Sequence, residues 1–238
     1  MAFRLEVPRP GIQTEDLFAI EFNHRTSISF PIDLNQRQWV VFYIRMAERS
    51  CNLHPRVVYL AINYGDRLIH NNQVQEPHYT SVIAAVCLFL ASRHSDSGRP
   101  LSIFDLREDD GFEYFSYDEG HRAEVQVMNS LNGDLNSVTP FAFLHFYLSR
   151  FYPKPISQHW NVLTDRASEM LFDIQTASEG ILKYRPSVIA AAVLLCSVKE
   201  QFPRQFAEFL RNVSTFELIE EGDLESCYHE VWQVLHPQ

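Results

Sequence analysis

Histidine, cysteine and acidic side chains most often bind metals or act in catalysis, and the chain has ten histidines and four cysteines. No histidine pair has metal-ligand spacing and no CxxC occurs. The glycine motifs of serine hydrolases, dinucleotide-binding proteins and P-loop nucleotidases are absent. The acidic runs at residues 108–110 and 220–221 are typical of solvated loops. The sequence therefore indicates no metal, no cofactor and no catalytic residues.

Arg37 and Asp66 are charged residues near the ends of the first and second helices of a predicted bundle. If these helices pack antiparallel, the two side chains meet. A buried charge requires such a partner, because desolvating a lone charge is very costly. The alternative is that both are solvated surface charges, and the pattern alone favours neither interpretation.

Arg93 and Glu124 lie in line with apolar positions on two further predicted helices. Arg93 continues an apolar stripe that ends at Leu90, and Glu124 shares its helix face with Met128. Periodicity alone favours two solvated charges. The sharper hypothesis is a polar pair that borders a hydrophobic docking surface.

Net charge and hydropathy exclude several classes of partner. The formal net charge of the 238-residue chain is −10, and its 20 basic residues form no stripe. Binding to DNA or RNA needs a basic face that displaces counterions from phosphates, so no direct nucleic-acid partner is expected. The longest apolar run, residues 82–91, is half of the roughly 20 residues that span a bilayer. With four widely separated cysteines and no signal core, we expect a soluble nuclear or cytoplasmic protein with no membrane partner.

An internal repeat in the sequence indicates the helices that carry these charged residues. The segment SVIAA occurs at residues 81–85 and 187–191, and each copy opens an apolar stretch that closes on a basic residue, Arg93 or Lys199. Such a repeat predicts one structural unit used twice. The other signals are almost all helical, without a useful strand pattern. The sequence therefore predicts two bundles of about five helices, each with the apolar stretch as its buried third helix.

Four ordered segments resemble those of the cyclin family. YLAINYGDRL and CLFLASR are similar to the second and third helices of a cyclin box, DLNSVTPF to the junction between two boxes, and LKYRPSVIAAA to the second box. The resemblance implies an all-α protein with two tandem five-helix cyclin folds. These are an N-terminal box at residues 35–135 and a C-terminal fold at residues 136–238. They follow an N-terminal segment, residues 1–34, with a short helix near 14–21. The style of the motifs leans towards plant D-type or meiotic cyclins.

The resemblance also implies a function and a set of residues. The protein would be a regulatory subunit, without catalytic residues of its own, that binds and activates a cyclin-dependent kinase in cell-cycle control. Substrates or inhibitors of that kinase would be further partners. Arg93 and Glu124 take the places of the family's interface lysine and glutamate, Met128 and Leu135 take apolar contact positions, and Leu90 lies on the adjoining face. The resemblance further favours a buried structural ion pair between Arg37 and Asp66.

The chain departs from the family pattern at several positions. His94 replaces an aromatic residue that usually follows the interface lysine, and Gly133 replaces a bulky aromatic late in the docking surface. Because a buried phenylalanine contributes about 1.5–3 kcal/mol, these losses weaken or redirect kinase binding. The family's substrate-docking patch falls on Gln36, Val40 and Tyr43. Gln36 replaces an apolar methionine and Tyr43 stands where a tryptophan is common, so the segment does not favour substrate docking.

Two alternative functions share the same fold. One is a cyclin-fold adaptor that binds a kinase or another protein without activating it, which His94 and Gly133 favour. The other is the core of a cyclin-like transcription factor, which would need a basic face that the sequence lacks.

Overall fold

The structure is a computed structural model that describes residues 14–23, 33–70, 77–95, 100–102, 105–106, 112, 115–135, 137–152, 157–178 and 180–237. These residues form α-helices and short turns, with no strand among them, so the prediction of an all-α fold is confirmed. The α-helices are Thr14–Asn23 (α1), Leu34–Cys51 (α2), Pro55–His70 (α3), Pro77–His94 (α4), Tyr117–Ser130 (α5), Pro140–Phe151 (α6), Ser157–Ala177 (α7), Pro186–Gln201 (α8), Phe206–Ser214 (α9) and Glu221–Leu235 (α10).

The chain divides into two compact units. One unit comprises residues 26–137 and contains α2 to α5. The other combines residues 1–25 with residues 138–238 and so contains α1 and α6 to α10. The helix near the N-terminus therefore packs with the second half of the chain, although it precedes the first half in sequence.

Helix α4 is the core of the unit formed by residues 26–137. It packs against α2, α3 and α5, and its side chains from Thr80 to Ser92 are buried except that of Phe89. Gly65 of α3 lets α2 approach closely, because a Cβ atom there would lie 2.7 Å from Val40 Cγ1. The prediction of a buried third helix is confirmed in this unit.

Helix α8 has the same place in the other unit. It packs against α6, α7, α9 and α10, and every side chain from Ser187 to Val198 is buried. Pro186 takes the first helical position, where a missing N–H has no cost. The duplicated SVIAA segment thus lies in the central helix of both units.

Helix α1 supplies the cap that α8 lacks at its own N-terminus. Glu21 is only 5% exposed and accepts hydrogen bonds from the Ser187 backbone N–H and hydroxyl, at 2.6 and 2.7 Å. Free N–H groups and the helix dipole favour a carboxylate at that end of a helix. Phe18 of α1 adds aromatic contacts with Phe143, Phe146 and Phe216. A buried acid and a ring therefore hold α1 on this unit.

Candidate functional site

Arg37 and Asp66 form a buried ion pair between α2 and α3. Arg37 Nε donates to Asp66 Oδ1 at 2.8 Å, Nη2 donates to Oδ2 at 3.4 Å, and the side chains are 5% and 2% exposed. Burial raises the pKa of the Asp66 carboxyl above its usual value, and the Arg37 charge opposes that shift. With no route to solvent, the pair fixes the register of α2 on α3 and is not a binding group.

The C-terminal end of α4 presents a cation to solvent. Arg93 is exposed, and its guanidinium carbon lies 5.3 Å from the centroid of the Phe89 ring, one turn earlier. Within the described residues no carboxylate pairs with Arg93. Leu90 is only 6% exposed and packs inward. The Arg93 charge is therefore available to a partner, whereas Leu90 is a core residue that packs α4 against the rest of the unit.

Helix α5 carries the acidic residue of the predicted pair. A capping box between Ser116 and Glu119 starts the helix. The Glu124 side chain is 35% exposed and lies 3.8 Å from His121 Nδ1. Met128, one turn further on, is half-buried. Glu124 and Met128 lie next to the buried face of α5, one helical turn apart, so both side chains are at the edge of the face on which the helix packs and are partly exposed.

The turn after α5 has a left-handed backbone. Asn132 has φ of 53° and Gly133 has φ of 67°, and the Gly133 N–H donates to Met128 O at 2.8 Å. No atom lies within 4 Å of a Cβ built on Gly133, so the constraint there is conformational rather than steric. In sequence, Gly133 stands where the family pattern has a bulky aromatic residue. In the structure, the same position is the end of a helix with a backbone conformation that favours glycine.

Polar contacts with α3 hold the segment that follows this turn. Tyr64 Oη donates to Leu135 O at 2.8 Å, and Arg67 Nη1 donates to Asp134 O at 3.0 Å. Ser137 Oγ donates to Asn63 Oδ1 at 2.8 Å. Burial raises the pKa of the Tyr64 hydroxyl, so it stays protonated and remains a donor. The half-buried Leu135 is thereby fixed in position.

Helices α4 and α5 pack against each other, so Arg93, Glu124 and Met128 belong to one pair of adjacent helices, while Leu135 lies in the segment that follows α5. We use the term α4–α5 surface for Phe89, Arg93, Glu124, Met128 and Leu135. Phe89 was not among the residues predicted from the sequence, although its position four residues before Arg93 places the two side chains next to each other on a helix. Tyr117 was also missed. It is 64% exposed and its ring lies 6.4 Å from that of His121, on the helix stripe that includes Glu124.

The predicted substrate-docking residues on α2 differ in exposure. Gln36 and Tyr43 are half-buried, whereas Val40 is 1% exposed and lies in the core against Gly65. The exposed apolar side chains of this helix are instead Leu34 at its first position, which is 41% exposed, and the aromatic residues Trp39 and Phe42, which are 49% and 48% exposed. Their ring centroids are 5.8 Å apart. An exposed aromatic patch is therefore present on α2, and the family pattern did not indicate that Trp39 and Phe42 form it.

Metal binding and nucleophilic catalysis by the chain itself have little support among the described residues. No three His, Cys, Asp or Glu residues there converge as metal ligands, and no described helix is both long and apolar enough to cross a membrane. Burial raises the pKa of the Cys196 thiol to about 12, and that of Cys87 is raised for the same reason. These thiols are core residues rather than nucleophiles. The acidic run at 108–110 lies outside the described residues.

Comparison with known proteins identifies relatives along the whole chain. The model of the cyclin N-terminal domain matches residues 13–136, and that of the cyclin C-terminal domain matches residues 138–238. Cyclin-D6-1 of Oryza sativa subsp. japonica is 30% identical over 237 residues, which cover 94% of this chain and 72% of the relative. Putative cyclin-D6-1 of Arabidopsis thaliana is 27% identical over 227 residues, covering 90% and 73%.

Solved structures share the fold at low sequence identity. A viral cyclin from herpesvirus saimiri superposes with a TM-score of 0.74 at 17% identity, covering 92% of this chain and 96% of the viral one. A chain of the CAK complex from Chaetomium thermophilum, bound to ATP-gamma-S, superposes with a TM-score of 0.62 at 14% identity, covering 93% and 75%. These likenesses show two cyclin folds in tandem.

Proposed function

The chain belongs to the cyclin family, with a leaning to the D type, and we propose that it binds and activates a cyclin-dependent kinase in cell-cycle control. The observation that carries this proposal is the α4–α5 surface, where Arg93 is exposed and no carboxylate among the described residues pairs with it. A solvated charge beside half-buried apolar side chains is typical of a surface that docks a partner. The buried ion pair of α2 and α3 stabilises the unit that presents this surface.

Activation would follow from positioning rather than from chemistry by this chain. Phosphoryl transfer by a protein kinase requires that a glutamate of its mobile helix pair with the lysine that holds the phosphates of ATP. We infer that the α4–α5 surface packs against that helix and stabilises its inward position. Arg93 and Glu124 would orient the helix, and Met128 and Leu135 would supply apolar contact.

Purified chain should be tested against a panel of cyclin-dependent kinases, for binding by co-purification and for activity on a histone substrate. We expect at least one kinase to be retained and activated. Arg93→Glu should weaken both effects, whereas Arg204→Glu, at an exposed cation of the other unit, should change neither. Absence of binding across the panel would reject the proposal.

A second candidate function is an adaptor that binds a kinase without activating it. The observation that favours it is the left-handed turn at Gly133, which leaves the end of α5 without a bulky apolar contact. His94, which is half-buried at the end of α4, removes another. Retention of a kinase that stays inactive on the histone substrate would select this function over the first.

A further inference from the structure

The cation at the end of α8 corresponds to the cation at the end of α4. The SVIAA repeat aligns α4 with α8 without a gap, and in that alignment Lys199 takes the place of Arg93. Arg93 is exposed and lies over one ring, that of Phe89. Lys199 is half-buried and is surrounded by aromatic side chains. The equivalent cation is therefore exposed in one unit and surrounded by aromatic rings in the other.

The helices that face these cations also correspond. Helices α5 and α10 each bury three residues at spacings of three and four, namely Gly120, Ala123 and Val127 in α5 and Leu224, Cys227 and Val231 in α10. With the buried residues aligned, Tyr228 takes the place of Glu124 and Trp232 takes the place of Met128. The second unit thus has aromatic rings where the α4–α5 surface has an acid and a methionine.

These rings enclose the Lys199 ammonium. Lys199 Nζ lies 4.0 Å from the centroid of the Trp232 ring, 5.4 Å from that of Tyr228 and 5.6 Å from that of Phe206. It also donates a hydrogen bond to Tyr228 Oη at 2.8 Å. An ammonium within about 6 Å of an aromatic face is attracted by the negative potential of the ring, and several rings together form a cation-binding cage.

The walls of this cage are held by further contacts. The Trp232 ring stacks on His236 at 4.0 Å between centroids, and His236 Nε2 lies 3.2 Å from Glu200 Oε1. Arg166 Nε in turn donates to Glu200 Oε2 at 2.7 Å. The Trp232 ring is therefore held by contacts that do not involve Lys199.

We propose that Phe206, Tyr228 and Trp232 form an ammonium-binding cage whose resident ligand is the chain's own Lys199. The ligand class is a primary or methylated ammonium. Because Lys199 fills the cage, the counterpart of the α4–α5 surface in the second unit is closed by the chain itself. The proposal rests on the geometry of that unit and does not depend on kinase binding.

Nuclear magnetic resonance of the intact wild-type protein tests the resident ligand. The chain has only three lysines, Lys154, Lys183 and Lys199, so ¹³C-lysine labelling gives three lysine spin systems. Lys183 lies over a single ring, that of Tyr184, and serves as an internal comparison. We expect the ε-methylene protons of Lys199 to be furthest upfield, through ring currents, and Trp232→Leu to remove that shift. Chemical shifts of an exposed lysine for Lys199 would overturn the proposal.

Removal of the resident ligand tests the ligand class. Lys199→Ala, in a background with Trp39→Phe and Trp160→Phe, leaves Trp232 as the reporter of fluorescence. We expect saturable binding of tetramethylammonium at least tenfold tighter than in the same background with Lys199, and no such binding of tert-butyl alcohol, a neutral compound with the same number and arrangement of heavy atoms. Equal affinities for the two compounds, or no binding by the folded variant, would overturn the assignment. If Lys199→Ala does not fold, the shift in the wild-type protein decides alone.

Discussion

The two central helices, α4 and α8, share the SVIAA segment and the same burial, yet their C-terminal ends have opposite surroundings. At the end of α4, Arg93 is exposed beside an acidic and half-buried surface. At the end of α8, Lys199 is enclosed by rings from α9 and α10. The repeat therefore preserves a core, while the side chains of the last helix in each unit decide whether the surface is open to a partner.

The starts of the two helices differ as well. The SVIAA serine of α4, Ser81, lies a full turn inside a helix that begins at Pro77. The serine of α8, Ser187, is the second residue of its helix and is bound by Glu21 of α1. One copy of the repeat is therefore closed at both ends by other parts of the chain.

Asp66→Ala should destabilise the unit of residues 26–137 by about 3–5 kcal/mol, because it removes the buried carboxylate that forms an ion pair with Arg37. Urea unfolding followed by thiol labelling measures the effect, since Cys87 and Cys196 are buried in α4 and α8. We expect Cys87 to become reactive at lower urea while Cys196 keeps its midpoint. The double variant Arg37→Met/Asp66→Leu is the control and should lose less. Equal shifts at both cysteines would show that the units do not unfold separately.

Glu21→Ala should destabilise the other unit by about 1–3 kcal/mol, because two hydrogen bonds to a buried carboxylate are lost and the N-terminus of α8 loses its cap. The same labelling experiment should now move the Cys196 midpoint and leave that of Cys87 in place. Glu21→Gln, which keeps one acceptor oxygen, should give an intermediate loss. A shift at Cys87 alone would contradict the assignment of α1 to this unit.

Glu124→Ala should weaken kinase binding about tenfold, which is about 1.4 kcal/mol, without a change in the urea midpoint. The control is Tyr228→Phe at the equivalent position of α10, which removes the hydroxyl that binds Lys199 and should leave kinase affinity unchanged. Titration calorimetry with the kinase retained in the panel provides the measurement. Equal losses in the two variants would mean that the open and closed surfaces do not differ in function.

Arg93→Lys should change kinase affinity by less than about threefold, because the charge is kept and an exposed ion pair contributes at most about 1 kcal/mol. The planar head of arginine and its contact with Phe89 would account for any remaining loss. The same calorimetry applies, with Arg93→Ala as the reference for complete removal of the charge. A loss in Arg93→Lys as large as in Arg93→Ala would show that the planar head, rather than the charge, is recognised.

The helical fold could be predicted from sequence because its signals are local. Apolar runs mark α4 and α8, proline marks the start of several helices, and Ser116 with Glu119 has the spacing of the capping box that the structure shows. These features depend on neighbours a few residues apart, which a sequence displays directly.

Features that depend on tertiary contacts could not be predicted in the same way. The pattern left the pairing of Arg37 with Asp66 undecided, because it required the packing of two helices. Gly133 showed only a missing aromatic, since its positive φ is a property of the folded turn. No role could be assigned to Lys199 from the sequence. The aromatic rings around it come from positions 206, 228 and 232 and meet only after α9 and α10 pack on α8.

The hydrogen bond between Glu21 and Ser187 has a consequence for synthesis of the chain. The two residues are 166 positions apart, with the whole unit of residues 26–137 between them. At about 5–20 residues per second, a ribosome needs roughly 8–33 s to make that stretch. Helix α1 therefore leaves the ribosome first but waits longest for its binding site, while its neighbour in sequence can already fold. During that interval the Phe18 ring lacks the contacts with Phe143, Phe146 and Phe216 that bury it in the folded unit.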